Sequence, residues 1–158
     1  MLKILFVCTG NICRSPLAEA QFNYVLTEHR LTEHFFADSS GTSDYHVGRI
    51  PDARSISVAK ANQVEISHTC RQLQLLDFYS FDYILVMDNS NYQNVLEIKP
   101  KDTTCEILYL RSFDIHANGV NIIPDPYYGT DEDFELMYDQ IKHSINGLLD
   151  FLIAKHKL

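Results

Sequence analysis

The first sixteen residues constrain the fold of this chain more than any other segment. An apolar run, Leu2–Val7, is interrupted only by Lys3 and leads directly into Cys8-Thr9-Gly10-Asn11-Ile12-Cys13-Arg14-Ser15-Pro16. A run that is apolar rather than alternating predicts a strand buried on both faces of a parallel sheet. Pro16 suits the first turn of a helix, because the N–H that it lacks would have no acceptor there. We therefore predict a strand, a loop over Cys8–Ser15 and a helix, in that order.

The loop Cys8–Ser15 has the spacing of a cradle for one tetrahedral anion. Five residues separate Cys8 from Arg14, which lets the backbone curl until its N–H groups point inward at a helix N-terminus. Gly10 allows a close backbone approach, and the planar fork of Arg14 matches two phosphate oxygens. Cys8 would lie in the floor of the cradle, where the positive field stabilises a thiolate nucleophile. The candidate phosphate-binding residues are Thr9, Gly10, Asn11, Ile12, Cys13, Arg14 and Ser15.

The same residues also have less specific interpretations. Cys8 could be a buried cysteine beside an ordinary strand–helix turn, and Ser15 could be a helix cap. The strand before the loop, the helix after it, Gly10 and Ser15 together favour the cradle. A Walker nucleotide-binding loop fits less well, because its Gly-Lys-Ser/Thr ending is absent. In the cradle, Ser15 would donate its hydroxyl to the Cys8 sulfur, and Asn11 would tolerate a left-handed backbone.

Strand and helix patterns alternate along the rest of the sequence, which predicts an α/β fold with a mainly parallel sheet. We expect a single domain over residues 1–158. The predicted strands are 2–7, 35–39, 82–87 and 106–110. The predicted helices are one from 14–16 to about 29, then 52–62 with Asp52 as its cap, 71–78, 89–96 and 132–155; loops are expected at 41–49 and 118–128.

Asp125 is the second candidate for chemistry. Loops that follow the strands of an open parallel sheet meet at its carboxyl edge, where ligands bind. The Cys8 loop, Asp88 and residues 111–128 all follow predicted strands and therefore belong to this edge. A phosphate ester needs a proton on its departing oxygen, and the carboxyl of Asp125 can supply it. Pro126 would stiffen the loop, although an Asp-Pro pair alone is usually only a turn.

Two separated motifs resemble the low-molecular-weight protein tyrosine phosphatase family. They are Cys8–Pro16 and Asp125-Pro126-Tyr127-Tyr128-Gly129, with family-like segments between them at Asp38-Ser39, Ser67-His68, Phe81-Asp82-Tyr83-Ile84 and Met87-Asp88-Asn89-Ser90-Asn91. The similarity covers nearly the whole chain. It implies an α/β three-layer sandwich, a four-stranded parallel sheet flanked by helices, with a phosphate-binding loop after strand 1. It also implies hydrolysis of phosphotyrosine and aryl phosphate monoesters through a cysteinyl-phosphate intermediate, with no metal and no cofactor.

The resemblance implies a role for each candidate site residue. Cys8 would be the nucleophile, Arg14 the phosphate ligand, and Asp125 the general acid and afterwards the general base. The residues that resemble the family's supporting hydrogen-bond network are Asn11, Ser15, Ser39 and His68. His68 could equally be a surface or core histidine, and Asp88 could either support the site or cap a helix.

Three tyrosines, Tyr45, Tyr127 and Tyr128, resemble the walls of the family's substrate cleft. Stacking on a phenol ring would favour tyrosyl over seryl phosphate, whose side chain is too short to reach the sulfur. Partial burial in the core is the alternative for each tyrosine. Expected partners are phosphotyrosyl proteins or peptides and small aryl phosphates, with phosphate and vanadate as inhibitors. The resemblance further implies a reversible disulfide between Cys8 and Cys13, which protects the thiolate from over-oxidation.

Charge and cysteine usage exclude several other classes of function. A net charge of −8 leaves no broad basic surface for a nucleic acid. No segment has the length of a membrane span, and the apolar opening is too short for a signal peptide. The four cysteines lack the spacing of a disulfide framework or a zinc site, and a working thiolate suits a reducing cytoplasm. We therefore expect a monomeric cytoplasmic enzyme without a nucleic-acid or membrane partner.

Three alternative functions share parts of this pattern. An arsenate reductase would have the same loop but needs a relay of further cysteines, and Cys70 and Cys105 are far apart in the sequence. A protein-arginine phosphatase typically carries threonine at the position of Ile12. The isoleucine side chain would crowd the attack on a phosphoguanidine. A non-catalytic phosphotyrosine-binding module would have no need of both Cys8 and Asp125.

Overall fold

The computed structural model describes all residues from Met1 to Leu158, and its centre is a parallel sheet. The strands, in the spatial order β2-β1-β3-β4, are β1 Leu2–Cys8, β2 Phe35–Gly41, β3 Tyr83–Val86 and β4 Glu106–Tyr109. β1 is a central strand, paired with β2 on one side and β3 on the other, as its continuous apolar run predicts. The predicted four-stranded parallel sheet is confirmed.

Five helices and one 3₁₀ turn (Leu110–Phe113) connect the strands. The helices are α1 Arg14–Glu28, α2 Ala53–Ala61, α3 Asp77–Ser80, α4 Asn89–Ile98 and α5 Asp131–His156. Side chains cap three of them: Asp52 caps α2 as predicted, Asp88 caps α4, and Thr130 caps α5 in a capping box with Asp133. None of these helices is both long enough and apolar enough to cross a bilayer.

The helices cover both faces of the sheet and create two separate apolar cores. The larger core joins Ile4 and Phe6 of β1 to residues of α1 and α5, such as Leu17 and Leu148. Alternate residues of β1 face the opposite side, where Leu5 and Val7 pack with α3 and α4. This arrangement is a three-layer α/β sandwich, and it fixes β1, and with it Cys8, at the centre of the carboxyl edge.

The predicted helix over 71–78 is wrong, because only Asp77–Ser80 is helical. The preceding backbone pairs instead with the end of β2: Gly41 N–H donates to Arg71 O, and Leu73 N–H donates to Gly41 O. The N–H of Arg71 donates to the side chain of Asn11. These tertiary hydrogen bonds hold residues 71–73 in an extended conformation that a helical pattern in the sequence does not reveal.

Candidate active site

The loop that follows β1 turns its carbonyl groups outward. Four of these carbonyls accept hydrogen bonds from neighbouring segments, all at 2.8–3.0 Å. Cys8 O accepts from Thr42 N, and Thr9 O accepts from both N and Oγ of Ser43. Ile12 O accepts from Asp52 N, and Cys13 O accepts from Ser55 Oγ. The N–H groups of residues 10–13 donate to no protein acceptor. A run of such N–H groups ahead of a helix N-terminus is a concave site for an anion.

Ser15 lies directly beside the sulfur of Cys8. Its Oγ is 3.0 Å from Cys8 Sγ and 3.2 Å from the carbonyl oxygen of Ser40, so its single proton can go to either acceptor. Asn11 Nδ2 donates to the Ser15 Oγ at 2.8 Å. The hydroxyl is therefore held in place from one side and is free to donate to a thiolate on the other.

Asn11 is the buried centre of the supporting network. Its φ is 57°, the left-handed conformation that asparagine tolerates better than most residues. Its Nδ2 donates to Ser15 and Ser39, while its Oδ1 accepts from Arg71 N at 2.9 Å and from His68 Nε2 at 2.7 Å. Because Arg71 contributes a backbone N–H, Oδ1 must be the amide oxygen, and Nε2 of His68 must carry a proton.

Two carboxyl groups behind His68, those of Glu19 and Asp38, are not among the predicted site residues. Glu19 Oε1 and Asp38 Oδ1 lie 3.4 and 3.6 Å from His68 Nδ1. Burial, together with the nearby Asp38, raises the pKa of Glu19 to about 8, and burial lowers the pKa of His68. A glutamate among the buried Leu17, Ala18 and Ala20 of α1 was the signal in the sequence, because an unpaired charge is rarely placed on an inward face.

The same three side chains are close enough together to be considered as metal ligands. The donor atoms of Glu19, Asp38 and His68 lie within 4.8 Å of one another. Asp38 is paired with the guanidinium of Arg71 at 3.0 Å, and Arg71 also binds Asp77 at 2.9 Å. Arg71 therefore pairs with Asp38 of the cluster, while the raised pKa of Glu19 favours its neutral form, and the cluster is explained as a hydrogen-bonded ion-pair network.

Arg14 is almost fully buried, and three partners orient its guanidinium. Nη1 donates to Asp88 Oδ2 at 2.6 Å and to the carbonyl of Ile123 at 2.9 Å, and Nη2 lies 3.5 Å from Asp125 Oδ2. Asp88 Oδ1 accepts from Asn91 N and caps α4. Both sequence interpretations of Asp88, helix cap and support for the site, therefore hold together.

These elements enclose a cleft of about 190 Å³ above the sulfur. It brings Asp125 together with Cys8 and Arg14, which are more than 100 residues away in the sequence. Its other lining residues include Gly10, Ile12, Tyr45, His46, Tyr127 and Tyr128. Tyr45 is 75% exposed and Tyr128 98% exposed, so both stand at the rim rather than in the core. A larger groove of about 600 Å³ between α2 and α5 contains no cysteine and no other nucleophile of this kind.

The other three cysteines are buried thiols. Burial is the main cause that raises the pKa of Cys13, of Cys70 to about 11 and of Cys105 to about 12. All four cysteines are free. Neither Cys70 nor Cys105 lines the cleft, so they do not supply the cysteine relay that an arsenate reductase requires.

Comparison with known proteins agrees with this geometry. Residues 3–158 match the family described as low molecular weight phosphotyrosine protein phosphatase. The human protein of that name is 42% identical over 150 residues, 94% of each chain. The crystal structure of a protein tyrosine phosphatase from Entamoeba histolytica superposes with a TM-score of 0.93 at 37% identity and covers 100% of both chains. A Drosophila arginine phosphatase gives a TM-score of 0.89 at 34% identity, covering 96% of this chain and 98% of its own.

A thiol at the base of an N–H-lined loop, beside a buried arginine at the edge of a parallel sheet, defines a cysteine-dependent hydrolase of phosphate esters. Within that class, the chain belongs to the low-molecular-weight phosphotyrosine protein phosphatase family.

Proposed function

We propose that this chain hydrolyses phosphotyrosine and small aryl phosphate monoesters through a cysteinyl-phosphate intermediate on Cys8. One observation carries the proposal: Cys8, Arg14 and Asp125 line a single cleft whose floor is a loop of inward-facing N–H groups. The nucleophile, the phosphate ligand and the proton donor then have separate positions around one bound phosphate. Arg14 and the loop N–H groups stabilise the charge on the phosphoryl oxygens during transfer.

In the first step, the Cys8 thiolate attacks phosphorus and an S–P bond forms. The ester P–O bond breaks, and the leaving oxygen takes a proton from Asp125. Tyr127 N–H donates to Asp125 Oδ1 at 3.1 Å, while Oδ2 faces Arg14. Because Oδ1 is held by its own loop backbone and Oδ2 faces the cleft side, we assign the transferred proton to Oδ2. At 47% exposure, the Asp125 side chain can reach both the leaving group and water.

In the second step, water attacks the phosphorus of the intermediate and the S–P bond breaks. The Asp125 carboxylate accepts a proton from that water, and inorganic phosphate is released. The departing sulfur becomes a thiolate again, stabilised by the hydroxyl of Ser15 at 3.0 Å. The enzyme returns to its starting protonation state without a metal or cofactor in the cycle.

The shape of the cleft supports an aromatic substrate. Tyr45 and Tyr127 line it above the sulfur, and the ring of His46 lies 6.3 Å from that of Tyr127. A phenol ring between aromatic walls gains contact area, whereas a seryl phosphate is too short to carry its phosphorus to Cys8. We therefore propose phosphotyrosyl proteins or peptides as the physiological class of substrate.

A steady-state assay with para-nitrophenyl phosphate in a metal chelator tests the proposal. We expect turnover that resists the chelator, is blocked by vanadate and phosphate, and disappears in Cys8→Ser. The matched control is Cys105→Ser, which removes a buried thiol outside the cleft and should retain activity. Full activity of Cys8→Ser would refute the covalent route.

The likeness to an arginine phosphatase makes phosphoarginine the necessary comparison substrate. Ile12 lines the cleft, and its branched side chain narrows the path to a phosphoguanidine. We expect strong preference for tyrosyl over seryl and arginyl phosphopeptides, and no reduction of arsenate with thioredoxin. A phosphoarginine peptide cleaved faster than its phosphotyrosine counterpart would reassign the substrate.

Cys13 is proposed as the partner of Cys8 under oxidative stress. Peroxide would oxidise the Cys8 thiolate to a sulfenic acid, and the Cys13 sulfur would displace its oxygen as water to form a disulfide. Thiol would then restore activity. Absence of a Cys8–Cys13 linkage in mass spectra after mild oxidation would remove this role.

We further propose that residues 1–158 form one phosphatase domain that acts as a monomer in the cytoplasm. Two apolar cores on opposite faces of one sheet support the single domain, and four free thiols suit a reducing compartment. Size-exclusion chromatography with light scattering and localisation of a tagged chain test the last two points.

A further inference from the structure

Arg54, at the start of α2, joins the two loops that form the cleft. No motif in the sequence marks it, and its guanidinium does not line the cleft itself. It nevertheless contacts segments on both sides of the site: the residues that support the phosphate-binding loop, and the loop that carries Asp125.

On the first side, Arg54 is fixed to Asp52. Its Nε and Nη2 donate to the two carboxylate oxygens of Asp52 at 3.1 and 2.9 Å, a bidentate pair. The backbone N–H of Asp52 donates in turn to the carbonyl of Ile12 at 2.8 Å. The position of the Arg54 guanidinium is therefore tied to the phosphate-binding loop through a single residue.

On the second side, Arg54 holds the Asp125 loop. Its Nη2 donates to the carbonyl of Tyr127 at 3.0 Å, and the N–H of the same Tyr127 donates to Asp125 Oδ1 at 3.1 Å. The loop is anchored at its start by Ile123, bonded to Met87 and Arg14, and at its end by the Thr130 cap. Between these anchors, the hydrogen bond from Arg54 is the one that joins the loop backbone to another part of the protein.

Packing adds to this connection. The Arg54 guanidinium carbon lies 4.4 Å from the ring centroid of Phe134 in α5 and 5.6 Å from that of Tyr127. Contacts at these distances are cation–π interactions, and they restrict where the planar fork can point. Nη2 of Arg54 faces the Tyr127 carbonyl because the guanidinium is held by Asp52 and packed against the rings of Phe134 and Tyr127.

We propose that Arg54 is a positioning residue, which sets the location of the Asp125 carboxyl relative to the sulfur of Cys8. This inference rests on the proposed function, because Asp125 must be the proton donor for its position to matter. Loss of Arg54 then removes acid catalysis selectively. Substrates whose leaving group needs a proton are affected, while substrates with a very acidic phenol are spared.

The test compares kcat/KM for phenyl phosphate and for 2,4-dinitrophenyl phosphate in Arg54→Met, which keeps an apolar stem against Phe134. We expect roughly a tenfold loss with phenyl phosphate and less than about threefold with the dinitrophenyl ester, as expected for a misplaced catalytic group. The ratio of the two values is independent of the fraction of folded enzyme, so reduced stability cannot imitate the result. Lys60→Met, which removes one charge from the same helix, should leave the ratio unchanged.

A double-mutant cycle separates this inference from the proposed function. If Asp125→Ala alone fails to enlarge the leaving-group dependence, Asp125 is not the acid and the proposed function itself is wrong. If Asp125→Ala behaves as an acid variant, adding Arg54→Met to it should change the ratio by less than about twofold. Equal losses with both substrates in Arg54→Met, or fully additive losses in the double variant, would overturn the positioning role. Arg54→Lys, which cannot reproduce the bidentate fork, should recover activity only in part.

Discussion

Arg14 and Asp88 are joined by an ion pair with a nitrogen–oxygen distance of 2.6 Å, in which the guanidinium is almost fully buried. Asp88 belongs to the loop after β3, whereas Arg14 begins the helix after β1. Because these strands are neighbours in the sheet, the pair joins two adjacent loops at the carboxyl edge. It also leaves the second nitrogen of Arg14 facing Asp125 and the cleft.

Replacing Asp88 should separate orientation of Arg14 from capping of α4. Asp88→Asn keeps an oxygen for the cap but removes the charge beside the buried Arg14, so kcat/KM should fall by about tenfold and stability should fall through the lost ion pair alone. Asp88→Ala should lower kcat/KM similarly and lower the free energy of unfolding by about 1–2 kcal/mol more than Asp88→Asn does, because the cap is also lost. Urea denaturation and aryl phosphate kinetics measure both. Wild-type kinetics in Asp88→Asn would show that Arg14 needs no anionic partner.

Asn11 should prove essential for the shape of the phosphate-binding loop. Both Asn11→Ala and Asn11→Gly leave the N–H of Arg71 without its acceptor, at a cost of about 1–3 kcal/mol. Asn11→Gly tolerates the φ of 57° and should be the milder of the two. Vanadate affinity, measured by inhibition, should fall in both variants. Unchanged affinity would mean that the loop keeps its shape without this side chain.

Ser15 should affect the release of sulfur from the intermediate. Its hydroxyl lies 3.0 Å from Cys8 Sγ, so Ser15→Ala should lower kcat by about tenfold or more. Phosphoenzyme trapped in a rapid-quench experiment should decay more slowly than in the wild type. Ser40→Ala is the matched control, because the buried Ser40 hydroxyl has no hydrogen-bond partner and its removal should leave kcat unchanged. Equal effects of the two substitutions would contradict the assigned role of Ser15.

Glu19 should make stability fall as the pH rises through neutrality. The pKa of Glu19 is raised to about 8, so the folded state holds a proton that the unfolded chain has already released. The depressed pKa of His68 acts in the opposite direction, but only below about pH 6.5, the ordinary value for histidine. The free energy of unfolding should therefore decrease between about pH 6.5 and pH 8. Urea denaturation at several pH values should show a smaller decrease in Glu19→Gln; an identical slope would exclude Glu19 as its source.

Elements whose conformation depends on residues nearby in the sequence could be predicted, and elements that depend on distant contacts could not. The strand over Leu2–Val7, the cap at Asp52 and the loop Cys8–Ser15 depend on neighbours in the sequence, and the structure contains all three. The segment 71–78 does not form the predicted helix because its conformation depends on Gly41 and Asn11, which are distant in the sequence. Arg54 was overlooked for the same reason, since its partner Tyr127 lies 73 residues away.

The order of residues along the chain was sufficient to determine the layered α/β class, the anion-binding character of the first loop and the chemical types of its side chains. These properties follow from apolar periodicity, backbone curvature and functional groups, all of which act over a few residues. The tertiary structure alone decided that Asp125 and Cys8 line one cleft, that Asp88 orients Arg14, and that Glu19 and Asp38 lie beside His68. Such relationships arise when parallel strands bring their carboxyl ends together, and sequence separation carries no information about the distances that result.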